Sequence, residues 1–193
     1  NDSLAIQTAR NYYPGAEGRG VISVYSLSNL AGKPSTISSD HWLIGASRDS
    51  LLLSPYSPTT GNDRSTRFRP FTVTQMGTDG TVRRTITGVN RVYPGGWLQR
   101  FSDPAAAATL ATSTAGKDDD QTRAAWNALP TQIVDLNSGS THDLMGGRAE
   151  SVGVPTGPGL LISHEGADGN GSPQQFWLSA DDDGHPHTEN LEQ

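Results

Sequence analysis

The residue types best suited to metal or acid–base chemistry are concentrated at the C-terminal end of the chain. The stretch SADDDGHPHTENLEQ holds the consecutive aspartates Asp181 to Asp183 and the histidines His185 and His187. Carboxylates and imidazoles bind divalent cations, and a His-Pro-His sequence can place two rings on one side of an extended segment. A metal site needs ligands held by a surrounding framework, however, and this segment has no strand or helix pattern. We therefore predict no metal here.

A second polar cluster lies in SHEGADGNGS, which begins at Ser163. Asp168 and Asn170 are spaced like the first ligands of a calcium-binding loop, but the twelfth position of such a loop, which needs a bidentate glutamate, is Ser179. The glycines and small polar residues favour a loop between two strands instead.

Nucleophilic catalysis has no recognisable signature in the sequence. There is no GxSxG element and no cysteine, and Ser140, His142 and Asp143 are too close along the chain to converge readily on one reacting atom. The glycine loops that bind phosphates and dinucleotides are also absent from the sequence. We therefore predict no catalytic residues and no cofactor.

Four aromatic residues stand in turn-like sequence: Tyr12 and Tyr13 in NYYPG, and Tyr93 and Trp97 in VYPGGW. Exposed tyrosine and tryptophan rings can stack on the apolar faces of sugars, and loops are a common place for binding residues. We predict these four side chains as the ligand-binding residues of the chain.

The composition sets the class of protein. The 193 residues fit one domain that can bury its own core, and only 33% of them are hydrophobic. Abundant glycine, proline, serine, threonine and aspartate are typical of many short strands joined by turns. The formal net charge of -6 argues against a nucleic-acid partner. No apolar run is long enough for insertion into a membrane.

The hydrophobic pattern predicts an all-β fold, a mainly antiparallel sandwich or barrel of about ten short strands. The clearest signal is a hairpin with strands Phe71 to Met76 and Thr81 to Val89 around the sequence GTDG. The stretch VISVYSL, which begins at Val21, predicts a strand covered largely on both faces.

One or two short helices are predicted near residues 103–129. Ser102 or Asp103 can cap a first helix that has Pro104 at its first position and continues through a run of alanines. A second helical turn or two can follow in QTRAAWNAL, where Pro130 ends it.

The domain organisation follows from these patterns. We predict that residues 1–180 form a single β-rich domain with a polar N-terminal arm over about residues 1–19, where NYYPGAEGRG is rich in turn residues. Residues 181–193 form an acidic polar C-terminal segment. The polar ends suggest a domain of a larger protein, with a processed secreted protein as the alternative.

The β-rich body from VISVYSL to QFWLS, followed by the acidic SADDDGHPHTENLEQ, resembles the protruding spike domains of capsid proteins from small non-enveloped RNA viruses, with the astrovirus spike as an example. The resemblance implies a β-barrel or sandwich on the virion surface, in the form of a homodimer. It implies contact with a host receptor or glycan, recognition by neutralising antibodies, and no catalysis. It assigns no role to a particular residue.

Two other functions stay open. A secreted carbohydrate-active or metal-dependent hydrolase would use His41, His142 and His164 beside some of the aspartates. A phage tail or decoration protein would assemble into rings or attach to shells. Stoichiometric binding of a divalent metal together with hydrolysis of a glycan would favour the hydrolase over a binding domain.

Overall fold

The computed structural model describes residues 3–9, 20–55, 70–117, 119–144, 148–151, 159–165, 174–180 and 186–190. Within these ranges the chain is mainly antiparallel β-structure with two short helices, which confirms the predicted all-β class. The strands are β1 (Ser3–Ala9), β2 (Gly20–Ser26), β3 (Ser35–Ser39), β4 (Trp42–Ala46), β5 (Ser50–Ser54), β6 (Phe71–Gly77), β7 (Val82–Tyr93), β8 (Trp97–Phe101), β9 (Thr131–Asp135), β10 (Thr141–Leu144), β11 (Arg148–Ser151), β12 (Leu160–Glu165), β13 (Gln174–Ala180) and β14 (Pro186–Asn190). The helices are α1 (Pro104–Ser113) and α2 (Asp120–Asn127).

The described strands form three antiparallel sheets. A three-stranded sheet has the order β1-β2-β3, a seven-stranded sheet the order β10-β9-β8-β7-β6-β5-β4, and a four-stranded sheet the order β11-β12-β13-β14. Neighbours in each sheet are neighbours in sequence, as expected where turns join successive antiparallel strands. There are more strands than the roughly ten predicted, because short polar strands such as β3 and β10 lack the apolar alternation that marks a strand in sequence.

Side chains of the seven-stranded sheet are buried on both of its faces. On β5, Leu52 belongs to one core cluster, whereas Leu51 and Leu53 belong to another, because successive side chains of a strand point to opposite faces. On β8, Trp97 and Leu98 are divided between two clusters in the same way. This sheet therefore forms the central layer of the fold.

The two smaller sheets cover one face of the seven-stranded sheet, each at a different place. Ile22 of β2 packs in one cluster with Leu51 and Leu53. Ile162 of β12 packs in a second cluster with Trp97. Both clusters lie opposite the one that contains Leu52 and Leu98, so the smaller sheets share one face of the central layer.

The other face is closed by curvature of the seven-stranded sheet itself. The buried residues described for this cluster come from that sheet or from Leu136, which directly follows β9. β4 lies close to β7, and a Cβ atom added at Gly45 would be 3.2 Å from Cγ1 of Val92. The sheet thus curls around its own apolar side chains, as a barrel does.

The β6–β7 hairpin lies where the sequence predicts it. In the turn of this hairpin, Gly80 has a φ angle of 87°, a conformation that favours glycine. The Thr81 N–H donates to Oδ1 of Asp79 at 2.9 Å. This hydrogen bond holds the pKa of the Asp79 carboxyl below its ordinary value. β7 continues beyond the predicted end of the strand, as far as Tyr93.

The two helices also lie where the sequence predicts them, and they cover one end of β8. The Asp103 carboxylate caps α1 by accepting from the backbone N–H groups of Ala105 and Ala106 at 2.9 and 3.0 Å. Phe101 of β8 and Trp126 of α2 pack together in a separate core cluster. No helix in the described ranges is long and apolar enough to cross a bilayer.

Both ends of the chain contain strands that were predicted as irregular segments. Ser3–Ala9, part of the predicted N-terminal arm, pairs along its whole length with β2. Pro186–Asn190, part of the predicted acidic segment, pairs with β13. Over these ranges the predictions were wrong, because pairing with a neighbouring strand compensates for a weak apolar pattern. Residues 10–19 and 181–185 lie outside the described residues.

The prediction that VISVYSL is covered largely on both faces was also wrong. Ile22 and Val24 are buried, whereas Val21 on the opposite face of β2 is 43% exposed. The three-stranded sheet is an outer layer, so only one of its faces packs against the seven-stranded sheet.

Tyr93 and Trp97, predicted as ligand-binding residues in a loop, are core residues that end β7 and begin β8. Their exposed fractions are 6% and 3%, and both pack between the seven-stranded and four-stranded sheets. The Tyr93 hydroxyl donates to Oε1 of Gln99 at 2.9 Å, and Nε2 of Gln99 donates to Oγ1 of Thr131 at 2.9 Å. The predicted placement of Tyr93 and Trp97 in an exposed loop was wrong, because strand pairing extends to both residues and leaves only a short turn between them.

We expect Tyr93→Phe to lower the free energy of unfolding by about 1–2 kcal/mol, because Gln99 would lose a hydrogen bond in a buried position. Denaturant unfolding of the two proteins measures the difference. Tyr25→Phe is a matched control, since Tyr25 is only partly buried on the outer layer, and it should change the free energy by less than about 0.5 kcal/mol. Equal effects of the two substitutions would contradict a structural role for the Tyr93 hydroxyl.

Candidate functional site

A groove of about 910 Å³ lies between the three-stranded sheet and the β6–β7 hairpin. This volume is within the range of about 300–1,000 Å³ that is usual for ligand-binding pockets. The groove is lined by Thr8, Gly20, Val21, Ser38, Ser39, Asp40, His41, Thr74, Met76, Val82 and Thr85. Many of these residues carry a hydroxyl group, and we term the site the hydroxyl groove.

The ionisable residues of the hydroxyl groove are Asp40 and His41, in the bend between β3 and β4. Nδ1 of His41 lies 2.8 Å from Oδ1 of Asp40, and the two side chains are 35% and 78% exposed, respectively. The bend is held by Ser39, whose Oγ accepts from the His41 N–H at 3.0 Å. The carboxylate therefore orients the imidazole ring at the surface of the groove.

Gln7 of β1 fixes the position of this bend. Its Nε2 donates to the backbone carbonyl of His41 at 2.7 Å, and its Oε1 accepts from the backbone N–H of Leu43 at 2.7 Å. The side-chain amide thus pairs with β4 as the backbone of another strand would. Through this contact, one residue of β1 connects the three-stranded sheet to the seven-stranded sheet beside the groove.

The arrangement can bind hydroxyl groups, and within the described residues no nucleophile is paired with His41. With Nδ1 directed at Asp40, Nε2 of a neutral His41 ring is an acceptor. No described hydroxyl group lies within hydrogen-bond distance of the ring, so no nucleophile is paired with it. Nor do the described residues include a group of three His, Cys, Asp or Glu side chains that could hold a metal ion.

The other residues considered from sequence lie elsewhere. Tyr12, Tyr13 and His185 are outside the described residues, and His187 is exposed on β14. Tyr93 and Trp97 are buried between sheets, away from the groove lining. Of the four predicted ligand-binding residues, the structure describes Tyr93 and Trp97, and neither of them lines the groove.

His142 and His164, two candidates for the hydrolase alternative, are close together at the junction between the seven-stranded and four-stranded sheets. The His142 ring on β10 lies 5.5 Å from the Phe176 ring, centroid to centroid. Burial lowers the pKa of His142 below its ordinary value of 6.5; the nearby Asp143 raises the pKa, and His164 lowers it further. His142 and Asp143 point to opposite faces of β10, since they pair with Ile133 and Gln132.

The sequence contained a weak signal for the hydroxyl groove that pointed to no ligand. From sequence, His41 is a candidate only for the hydrolase alternative, and no pattern points to Asp40 or Ser39. The polar run SSDH predicts a bend between two strands, but it does not indicate which residues surround that bend. Gln7 was missed because it lies in the segment predicted as an irregular arm, and Thr74 and Thr85 because their facing positions depend on how the sheets pack.

Comparison with known proteins gives little further guidance. No protein-family model and no curated protein sequence matches the chain. Among solved structures, it is similar to a crystal structure of a eukaryotic initiation factor, with 11% sequence identity and a TM-score of 0.30. The match covers 98% of this chain and 52% of that chain, so this chain spans about half the length of the matched one. A similarity of this size carries no inference about fold or function.

We expect Gln7→Ala to lower the free energy of unfolding by about 1–3 kcal/mol, because the Leu43 N–H and the His41 carbonyl would lose their partner at a partly buried position. Denaturant unfolding measures the change. Thr8→Ala on the same strand is the control: the Thr8 hydroxyl makes one exposed hydrogen bond of 3.4 Å, and its loss should have little effect. If Gln7→Ala were no more destabilising than Thr8→Ala, the role of Gln7 would be contradicted.

We expect the stability of the protein to fall with pH below the ordinary His142 pKa of 6.5. Burial lowers the pKa of His142 in the folded state, so the unfolded chain takes up the proton first as the pH falls. The contribution of neutral His142 to the free energy of unfolding is therefore complete above pH 6.5 and is lost as the pH falls through the folded-state pKa. Thermal unfolding between about pH 7.5 and pH 5 should be less pH-dependent in His142→Gln than in the unsubstituted protein. The control is His187→Gln at an exposed position, and the same slope in all three proteins would exclude this role of His142.

Proposed function

We propose that the chain is a non-catalytic recognition domain that binds a neutral, hydroxyl-rich ligand, such as a glycan, in the hydroxyl groove. The observation that carries the proposal is the lining of the groove, where hydroxyl side chains surround an imidazole that is oriented by a carboxylate and pairs with no hydroxyl group among the described residues. A lining of this kind can make many hydrogen bonds to a polyhydroxyl ligand without cleaving it.

The hydrogen-bonding groups of the groove complement those of a sugar. Hydroxyl groups of Thr8, Ser38 and Thr85 can donate and accept, and Nε2 of a neutral His41 can accept. The Asp40 carboxylate can accept from two neighbouring ligand hydroxyls, and charge-assisted hydrogen bonds of this type are the stronger ones. Asp40 is therefore the residue from which we expect the largest contribution to binding.

The apolar part of the groove is small. Val21, Met76 and Val82 line it, and Val21 and Val82 are 43% and 55% exposed. Such side chains can cover the C–H face of a sugar ring. The described lining contains no aromatic ring for stacking, so we expect the affinity for a single ligand to be modest.

The charge of the lining favours a neutral ligand over an anionic one. Asp40 contributes a carboxylate, and neither lysine nor arginine is among the lining residues described. The chain as a whole has a formal net charge of -6. A sialylated or sulfated glycan would bring like charges together, which lowers affinity.

The biological setting that we propose is the surface of a virion. The resemblance to capsid spike domains supports a projection domain that attaches to a host receptor or glycan and is recognised by antibodies. An all-β scaffold with binding groups between its sheets is compatible with such a role, since a fold of this class carries many functions and the site determines which one.

A hydrolase is the second candidate, and the Asp40–His41 pair is the observation that favours it. A histidine oriented by a carboxylate through Nδ1 can act as a general base toward a water molecule. Against this role, Asp40 is exposed and His41 is only partly buried, whereas a general base is usually found in a site from which water is largely excluded.

We expect the protein to bind neutral glycans in preference to sialylated ones on a glycan panel, and Asp40→Asn to weaken that binding by roughly tenfold or more, because a hydrogen bond to a charged group contributes about 1.5–3 kcal/mol. Asp120→Asn is the matched control, since Asp120 is an exposed aspartate that pairs with Arg123 on α2 and should not affect binding. No binding to any glycan, or equal binding by Asp40→Asn and the unsubstituted protein, would contradict the proposal.

The same panel separates the two candidates. A recognition domain leaves each glycan intact, so mass spectrometry should find no shortened product after long incubation. If cleavage occurs and is lost in His41→Asn while binding remains, the hydrolase is the correct function. Cleavage that persists in His41→Asn and stays with the protein through further purification would come from residues other than His41 and would contradict a non-catalytic domain.

A further inference from the structure

The outer edge of β1 is a free pairing surface in the described part of the chain. β1 pairs with β2 on one side, in a continuous register from Ser3 to Ala9 without an irregularity, and no described strand pairs with its other side. The sequence of the strand, SLAIQTA, contains no charged residue and no proline. A straight, uncharged edge presents backbone N–H and C=O groups to another strand.

The other sheet edges in the described residues carry features that oppose such pairing. β10 contains Asp143, and β11 contains both arginine and glutamate. β14 begins with Pro186 and contains Glu189. β4 has an irregular register between Leu43 and Gly45 and curls toward β7, and β3 is a short strand of serine and threonine apart from one isoleucine. Charges, prolines, irregularities and short lengths are the usual protection of an edge.

The face of the three-stranded sheet beside the β1 edge is apolar and neutral. Leu4 and Ile6 of β1 are both 44% exposed, and Val21 of β2 is 43% exposed. In the register of β1 and β2, Leu4 lies opposite Tyr25 and Ile6 opposite Ser23, so the side chains of this face carry no charge. The chain has a formal net charge of -6, yet two copies can meet at this face without placing like charges together.

We propose that a second copy of the chain pairs with β1, edge to edge and antiparallel, to form a homodimer with a continuous six-stranded sheet. The register that uses all of β1 places Ser3 opposite Ala9 and Leu4 opposite Thr8, with Ile6 on the two-fold axis. This register joins the exposed leucine and isoleucine side chains of both copies on one face of the sheet. The interface is self-complementary, as a two-fold axis requires.

This inference goes beyond the proposed recognition function and does not rest on it, because the dimer would form whether or not the hydroxyl groove binds a ligand. The proposed dimer and the proposed recognition function share one residue. Thr8 belongs both to β1 and to the lining of the groove. The dimer would therefore place two grooves near the same six-stranded sheet, and a ligand displayed in several copies would bind more tightly than a single one.

The mass of the protein in solution tests the dimer. We expect sedimentation equilibrium to give a concentration-dependent mass that approaches twice 20.5 kDa. Ile6→Lys should be monomeric with an unchanged circular dichroism spectrum, since the side chain is exposed and its replacement places two positive charges together on the axis. Val82→Lys, at another exposed strand position outside β1, should remain dimeric.

An experiment with oppositely charged variants separates loss of dimerisation from a defect in folding, which a single variant cannot do. Ile6→Lys and Ile6→Glu should each be monomeric alone, and an equimolar mixture should form a heterodimer, because opposite charges then meet at the axis. A structural defect in either variant would not be restored by mixing. Failure of the mixture to associate, with both variants folded, would overturn the assignment of Ile6 to the axis.

Cross-linking gives an independent readout. The chain has no cysteine, so Ile6→Cys introduces a single thiol that should be joined to its counterpart by a short bifunctional thiol reagent. Val82→Cys should not be joined under the same conditions. A protein that stays monomeric up to roughly 1 mM, or an Ile6→Lys variant that dimerises like the unsubstituted protein, would overturn the proposal. Loss of glycan binding alone would leave the dimer unaffected.

Discussion

Burial of both faces of the seven-stranded sheet is the constraint on which the rest of this structure depends. The neighbours Leu51 and Leu52 both need to be shielded from water, yet they point to opposite sides of one strand. Curvature of the sheet covers one face, and the two smaller sheets cover the other. The two smaller sheets are separate from each other, and the space beside the three-stranded sheet remains open as the hydroxyl groove.

The position of the groove follows from how the three-stranded sheet is attached. Apolar contacts from Ile22 hold this sheet over β5, but apolar packing is not directional. Gln7 adds direction, because its amide must meet both a carbonyl and an N–H of the chain around β4. On β1, the inner side chains pack in the fold, whereas no described strand pairs with the outer edge, and Leu4 and Ile6 are exposed on the outer face. We propose this edge and this face for self-association.

Local chemistry made several parts of the fold predictable. The β6–β7 turn needs a positive φ angle, and the sequence places Gly80 there. The first helix needs an acceptor for its free N–H groups, and Asp103 precedes Pro104. The candidate site was not predictable in this way. Its lining comes from five strands and one bend, and the ligand-binding role predicted for Tyr93 and Trp97 was assigned to residues that are buried.

The sequence by itself determined that the chain is all-β, where its best-marked turns and helices lie, and that no catalytic signature is present in it. The tertiary structure decided which residues are exposed, which strands end as free edges, and which polar residues share a groove. The physical reason is the separation along the chain over which each interaction acts. Turn geometry, capping and alternation act between residues a few positions apart, whereas burial and the meeting of Gln7 with the His41 bend, 34 residues away, depend on the packing of whole sheets.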